Sequence, residues 1–259
     1  MPFAEIKGFR THYTLAGAAG APVLVFSNSL GTNLSMWNPQ LPVFEKHFRV
    51  LRYDTRGHGQ SSVTPGPYSI KQLGKDVLAL LDILHLERVH FCGLSMGGMI
   101  GMWLGMNAPE RLNRLVLCNT GAKIGTVEGW KTRIETVRKG GMKPVAAGVI
   151  ERWFTPAFRA KASEEIAAIQ DILENTNAEG YVANCAAVRD FDAREAISAI
   201  RVPTLVIAGA QDPATPPADG RFLAEKINGA RYVELSAAHL SNIEDRDRFN
   251  QEVSAFLNA

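Results

Sequence analysis

A chain of 259 residues, 46% of them hydrophobic and 21% charged, is long enough to bury one large core. Its formal charge of +2 is too small to call for a nucleic-acid partner. No apolar run approaches the roughly 20 residues of a membrane-spanning helix, and the opening stretch Met1-Pro2-Phe3-Ala4-Glu5-Ile6-Lys7 carries an early acid and no apolar signal region.

Taken in order, Phe3-Ala4-Glu5-Ile6 and Thr11-His12-Tyr13-Thr14-Leu15, split by Lys7-Gly8, predict an antiparallel hairpin at a sheet edge. Val23-Leu24-Val25-Phe26 is continuously apolar, as a strand covered on both faces must be, and it runs into Ser27-Asn28-Ser29-Leu30-Gly31. The stretch from Trp37 to Phe48 is expected to be helical near its middle. Arg49-Val50-Leu51-Arg52-Tyr53 is the next strand, followed by the loop Asp54-Thr55-Arg56-Gly57-His58-Gly59-Gln60-Ser61. Ser69 is placed to cap a helix whose Ile70, Leu73, Val77, Leu80, Leu81 and Leu84 share one face. Val89-His90-Phe91-Cys92 and Leu115-Val116-Leu117-Cys118 are buried strands, with a glycine-rich helix between them.

From Lys123 to Glu195 buried strands vanish and amphipathic helical segments take over, separated by Gly140-Gly141, Thr155-Pro156 and Gly180. Pro203-Thr204-Leu205-Val206-Ile207-Ala208-Gly209 restores a buried strand, Tyr232-Val233-Glu234-Leu235 is another, and Phe249, Val253 and Phe256 line the inner face of a last helix. Short buried strands alternating with helices predict an α/β fold, a mostly parallel sheet with helices on both faces. The expected organisation is a core of residues 1–121 and 196–259 with a helical cap at 122–195. Three cysteines, Cys92, Cys118 and Cys185, are odd in number and distant in sequence, and read as reduced core thiols; with no signal region, the expected compartment is the cytoplasm.

Gly93-Leu94-Ser95-Met96-Gly97-Gly98 stands where a strand passes into a helix. A serine between glycines at such a junction is the nucleophile-elbow pattern: the turn is too tight for flanking side chains, and it lifts the hydroxyl to the top of the sheet. Gly97, Gly101 and Gly105 recur every four residues, a bare helix stripe that permits close approach to the strands. A serine needs a base, and the base an orienting acid. Of six histidines, His239 lies in the loop between the last strand and the last helix. Asp212 follows Gly209-Ala210-Gln211 at the end of the preceding strand. Both are at the carboxyl edge of an open sheet, where active sites gather. The chain order Ser95, Asp212, His239 is that of an α/β-hydrolase triad. Asp192 is a spare carboxylate that could stand in for Asp212. No His, Cys or carboxylate cluster has metal-ligand spacing, and no cofactor or metal is expected.

At these residues the chain resembles α/β-hydrolases over nearly its whole length, and Asp54-x-Arg56-Gly57-His58-Gly59-x-Ser61 is similar to that family's glycine-rich loop, where the resemblance implies a structural role. Ser27-Asn28-Ser29-Leu30-Gly31-Thr32-Asn33-Leu34-x-Met36-Trp37, the elbow, Arg152-Trp153-Phe154-Thr155 and Ala238-His239-Leu240-Ser241-Asn242 are similar to 3-oxoadipate enol-lactonases of the β-ketoadipate route of aromatic breakdown. Many relatives have His-Gly where this chain has Asn28 and Ser29. The donor there is a backbone amide, so an Asn or Ser side chain can hold the turn instead. The resemblance implies nucleophilic attack by Ser95 with His239 as base, an oxyanion hole made by the amides of Leu30 and Met96, and a small anionic lactone as substrate. A broad carboxylesterase or perhydrolase with the same triad, and a small-molecule receptor on a hydrolase scaffold, remain open from sequence, as does the oligomeric state. A haloalkane dehalogenase is disfavoured, since its nucleophile is aspartate.

The triad offers nothing to pair with a substrate carboxylate. From Glu128 to Lys161, however, eight basic residues face three acids. Arg133 is the leading candidate, flanked by Trp130 and Val137 at helical spacing, with Arg152 and Arg138 next and Trp130 and Trp153 as pocket walls.

Overall fold

A computed structural model of the chain describes residues 2–6 and 8–259. Eight strands form one sheet in the order β1-β2-β4-β3-β5-β6-β7-β8: β1 (Phe3–Ile6), β2 (Phe9–Ala16), β3 (Val23–Ser27), β4 (Arg49–Tyr53), β5 (Val89–Leu94), β6 (Leu112–Cys118), β7 (Thr204–Gly209) and β8 (Arg231–Leu235). The edge hairpin β1–β2 is antiparallel, and β2 also runs antiparallel to β4; every later pairing is parallel. Lys7, half of the expected Lys7-Gly8 turn, lies outside the described residues, as does Met1. The continuous apolar runs are the central strands, and β5 and β7 are buried at every residue.

Helices cover both faces. α1 (Leu41–Phe44) follows a 3₁₀ segment, Leu34–Gln40. The middle of the stretch Trp37 to Phe48 is thus α-helical, as expected, and a 3₁₀ segment leads into it. α2 (Ile70–Ile83) begins at Ser69, whose side chain accepts from the Gln72 amide. α3 (Met96–Asn107) follows β5 without a loop. Between β6 and β7 come α4 (Val127–Gly140), α5 (Lys143–Trp153), α6 (Pro156–Lys161), α7 (Ser163–Glu174) and α8 (Ala178–Asp190), with no strand among them. α9 (Pro217–Lys226), α10 (Ser241–Glu244) and α11 (Arg246–Leu257) complete the chain. No helix of the described residues is long and apolar enough to cross a membrane.

Two features of this topology locate a site. β4 and β5 flank β3 on opposite sides, so the chain reverses its winding there. A crevice opens above the carboxyl ends of β3 and β5. Helix α3 also lies abnormally close to the sheet. A Cβ on Gly93 would sit 2.1 Å from the Gly97 carbonyl oxygen, and one on Gly97 would sit 2.2 Å from that of Ser27. Towards the far end of the helix the clearance relaxes: a Cβ on Gly105 would meet only side chains, of Ile200 and Leu115, at 3.2 Å. All three cysteines are free and buried. Cys92 and Cys118, far apart in sequence, bring their sulfurs to 3.8 Å across β5 and β6. Burial, and then the neighbouring Cys92, raise the Cys118 thiol pKa well above its ordinary value.

The clearance gradient along α3 makes a testable contrast. Gly97→Ala sets a methyl against fixed backbone and is expected to cost about 3 kcal/mol. Gly105→Ala meets movable side chains and gains about 1 kcal/mol of helix propensity, so its net effect is near zero. Urea unfolding of both variants checks this. Equal destabilisation would mean that the helix as a whole, rather than its N-terminal turn, is pinned to the sheet.

Candidate active site

Ser95 occupies the sharp corner between β5 and α3 with φ 57° and ψ −115°, a backbone conformation that strains a residue bearing a Cβ. The surroundings hold it there. Its amide donates to the Cys118 carbonyl at 2.9 Å, and its carbonyl accepts from Thr120 Oγ1 at 2.8 Å and from the Met99 amide. The side chain is thereby presented to a cavity of about 390 Å³ that Leu30 and His239 also line.

His239 and Asp212 come together from the loops after β8 and β7. His239 Nδ1–H donates to Asp212 Oδ2 at 2.8 Å, which leaves Nε2 as the free acceptor of the ring. The Asp212 carboxylate is saturated with donors: the Ala214 and Thr215 amides on Oδ1, and Thr215 Oγ1 and Asn119 Nδ2 on Oδ2. Burial opposes its ionisation, but the charge and hydrogen bond of His239 and the bonds from Thr215 outweigh burial and hold its pKa at about 2. Ser95 Oγ makes no hydrogen bond to His239 in this structure; catalytic hydrogen bonds of this kind commonly tighten only once substrate is present.

The loop after β3 supplies the opposite wall. Asn28 directly follows the last residue of β3. Its Nδ2 donates to the Tyr53 carbonyl at 2.8 Å and its Oδ1 accepts from Trp37 Nε1 at 3.0 Å, which locks the turn to the core from both ends of one amide. The Asn28 carbonyl accepts the Gly97 amide at 3.1 Å, so this loop and α3 are joined directly. The Ser29 carbonyl accepts from the Thr32 amide and hydroxyl. The amide of Leu30, on the far side of that same peptide plane, donates to no described residue, and neither does that of Met96 in the open first turn of α3. Two undonated amides beside a nucleophile are the geometry of an oxyanion hole.

Of the residues expected to contact substrate, Trp130, Arg133 and Trp153 all line the cavity, and Arg152 joins them. Arg133 lies 4.8 Å over the Trp130 ring, whose Nε1 donates to the Ile124 carbonyl. Arg138 instead faces a separate groove of about 670 Å³, between α4, α8 and residues 64–67, that holds none of the triad residues. Asp192 is paired with Lys123 and Arg194, which hold its carboxyl well below the usual range, and it makes no hydrogen bond to the His239 loop. Burial, and then the charge of Asp212, raise the pKa of Asp219 on α9. Among the described residues no three His, Cys, Asp or Glu side chains are gathered as a metal site would gather them.

Sequence reasoning missed Asn119, Thr215 and Glu244. Asn119 has φ 45°, ties Asp212 to the Ala238 carbonyl through its Nδ2, and accepts from Ser241 Oγ. Its signal was a lone amide immediately after the buried strand β6. Glu244 on α10 accepts from the Ala238 amide and from the Thr155 amide and hydroxyl, while the Leu240 amide donates to the Trp153 carbonyl. The segments around Trp153 and His239, which resembled known motifs separately, are thus hydrogen-bonded to each other.

The chain belongs to the α/β-hydrolase family, whose fold model matches residues 22–145 and 151–246. Within that family it is 47% identical to 3-oxoadipate enol-lactonase 2 of Acinetobacter baylyi, over 95% of this chain and 92% of that protein. The crystal structure of the enol-lactonase from Burkholderia xenovorans superposes with a TM-score of 0.98 at 48% identity over the whole of both chains. A thermophilic esterase from Thermogutta terrifontis, 27% identical, superposes at 0.91 over 99% of this chain and 96% of its own.

The Asp212 environment predicts a pH effect on stability. An unfolded aspartate titrates near about 3.9. With its folded pKa lowered to about 2, ionised Asp212 contributes stability in full above pH ~4 and loses it as the pH falls towards 2. Asp212→Asn should therefore shrink the drop in thermal midpoint between pH 5 and pH 2.5. An unchanged drop would assign that acid limb to other carboxylates.

Proposed function

We propose that this protein hydrolyses 3-oxoadipate enol-lactone to 3-oxoadipate through Ser95, His239 and Asp212, beneath a helical cap formed by residues 122–195. The observation that carries the reading, beside the relatives' identity, is the charge of the cavity. Arg133 and Arg152 both line it with Ser95, and neither forms an ion pair with a carboxylate among the described residues. Burial, and then the charge of Arg133 beside it, lower the Arg152 pKa from its ordinary value. Tyr181 and Glu151 act in the opposite sense on Arg152 without cancelling this, and two like charges held together and partly desolvated favour an anion between them. The enol-lactone brings one in its carboxymethyl arm, which a planar guanidinium fork is shaped to grip.

In this reading the carboxylate sits against the arginines, with Trp130 and Trp153 as walls, and the lactone carbonyl lies over Ser95. His239 Nε2 takes the Ser95 proton as Oγ bonds to the carbonyl carbon, and the amides of Leu30 and Met96 receive the charge that develops on the carbonyl oxygen. Collapse breaks the ring C–O bond. The leaving group is an enolate, a better one than a simple alkoxide; it takes the proton that His239 carries, which restores the neutral base, and tautomerises to the ketone. Water, deprotonated by His239, then attacks the Ser95 ester, and the same proton returns from His239 to Ser95 Oγ as the serine leaves and 3-oxoadipate is released. Asp212 keeps the His239 ring in the Nδ1–H tautomer and stabilises its charged form throughout.

Steady-state hydrolysis of the enol-lactone beside a neutral ester of similar size tests the reading. A kcat/KM no better for the lactone would favour a broad carboxylesterase, and the absence of turnover on either would favour a receptor. Ser95→Ala and His239→Ala should each lose several orders of magnitude, with the double variant little worse than either. Arg133→Met keeps much of the side-chain stem and removes the charge. It should lower kcat/KM on the lactone by about 1.5–3 kcal/mol, the range of a charged hydrogen bond, and leave the neutral ester nearly unchanged. Equal losses on both substrates would make Arg133 structural and move the carboxylate to Arg152.

A further inference from the structure

His58 belongs to the glycine-rich loop after β4, is almost wholly buried, and takes no part in the chemistry above. Its Nε2 lies 2.9 Å from the amide nitrogen of Gly31. A backbone N–H can only donate, so Nε2 is the acceptor and the ring is the neutral tautomer with its proton on Nδ1. The Nδ1 side faces the backbone of Arg56, with which the ring hydrogen-bonds, and Asn184 Nδ2 at 3.3 Å. Burial pushes the ring pKa down to about 4, against the opposing effects of the Arg56 backbone and Asp54, which keeps it an acceptor near neutrality.

Gly31 follows the oxyanion-hole residue Leu30. Two successive peptide planes are therefore fixed in opposite senses. The Ser29–Leu30 plane is held through its carbonyl by Thr32 and turns the Leu30 amide outward. The Leu30–Gly31 plane is held through its amide by His58. The rest of Gly31 is boxed in: φ is +84°, a Cβ would lie 2.6 Å from Leu173 Cδ1, and its carbonyl accepts from Thr176 Oγ1 at 3.3 Å. Buried N–H groups are rarely left unpaired because desolvating them without a partner is costly. Without an acceptor at His58, the Leu30–Gly31 plane turns to find another, and the neighbouring plane that bears the oxyanion donor turns with it.

We infer that His58 is a positioning residue for the oxyanion hole, acting through its Nε2 bond to the Gly31 amide to aim the Leu30 N–H at the developing oxyanion. This rests on the reading of Leu30 as an oxyanion donor, but not on the identity of the lactone. The test therefore uses p-nitrophenyl acetate as well as the enol-lactone: failure of the lactone alone would count against the substrate, not against His58.

Three variants separate a precise acceptor from mere packing. His58→Gln can place an amide oxygen where Nε2 stands, His58→Asn reaches only as far as Nδ1, and His58→Leu fills space with no acceptor. Loss of one oxyanion donor costs about 100- to 1,000-fold in kcat, so a misaimed one should cost about 10- to 100-fold in the Asn and Leu variants. KM should stay within about two-fold, since the donor meets its charge only in the transition state, and the Gln variant should keep kcat within about three-fold of the parent. Circular dichroism and the thermal midpoint accompany each variant. If the Leu variant does not fold, the Gln and Asn pair carries the comparison. The inference is overturned if a folded Asn or Leu variant keeps the parent kcat, if the loss falls on KM, or if the Gln variant fails to fold or falls as far as Asn.

Discussion

The site depends on one close contact, that of the first turn of α3 against the end of β3. With no side chain at Gly97, helix backbone lies directly on strand backbone, and the Gly97 amide donates to the Asn28 carbonyl. This single approach sets the distance between the corner that bears Ser95 and the turn that bears Leu30. The switch of winding between β3 and β5 makes the same place a crevice. Ser95 and the Leu30 amide are thus related through rigid backbone, and their spacing does not rely on side-chain packing.

The pair of His239 and Asp212 is organised differently, by hydrogen bonds rather than by contact. Asp212 accepts from four groups besides His239, so its carboxylate has neither lone pairs to spare nor freedom to turn. A carboxylate fixed in this way keeps the imidazole in one tautomer and one orientation. Asn119 extends the order by gripping Asp212 and the Ala238 carbonyl together, and so couples the ends of β6 and β7 to the His239 loop.

Much of this was legible in the chain, for identifiable reasons. Strand ends are marked by where apolar runs stop, so Ser95, Asp212 and His239 could be placed on one edge of the sheet without knowing any contact. The glycines at 93 and 97 announced a corner that no other residue permits. What could not be read was which of the basic residues on α4 and α5 reach the cavity that holds Ser95 and which do not. Arg133, Arg138 and Arg152 are chemically alike in sequence, and only the seating of α4 and α5 sends two of them to the cavity and one to the groove beyond. Asp192 resembled a spare acid because its partners, Lys123 and Arg194, declare themselves only in three dimensions. Glu244 was invisible for the same reason: its partner Thr155 lies 89 positions away.

The bonds from Glu244 to Thr155 and Ala238, and from Leu240 to Trp153, have a consequence for how this scaffold can diversify. They make the end of α5 and the His239 loop one mechanical piece, so a change that shifts the Trp153 backbone also carries His239 with it. No hydrogen bond of α4, by contrast, reaches the loops bearing Ser95, Asp212 or His239 among the described residues. The two cavity arginines therefore stand on unequal ground. The helix of Arg133 can shift without pulling on those loops through hydrogen bonds, whereas Arg152, next to Trp153, sits on the piece that also bears His239.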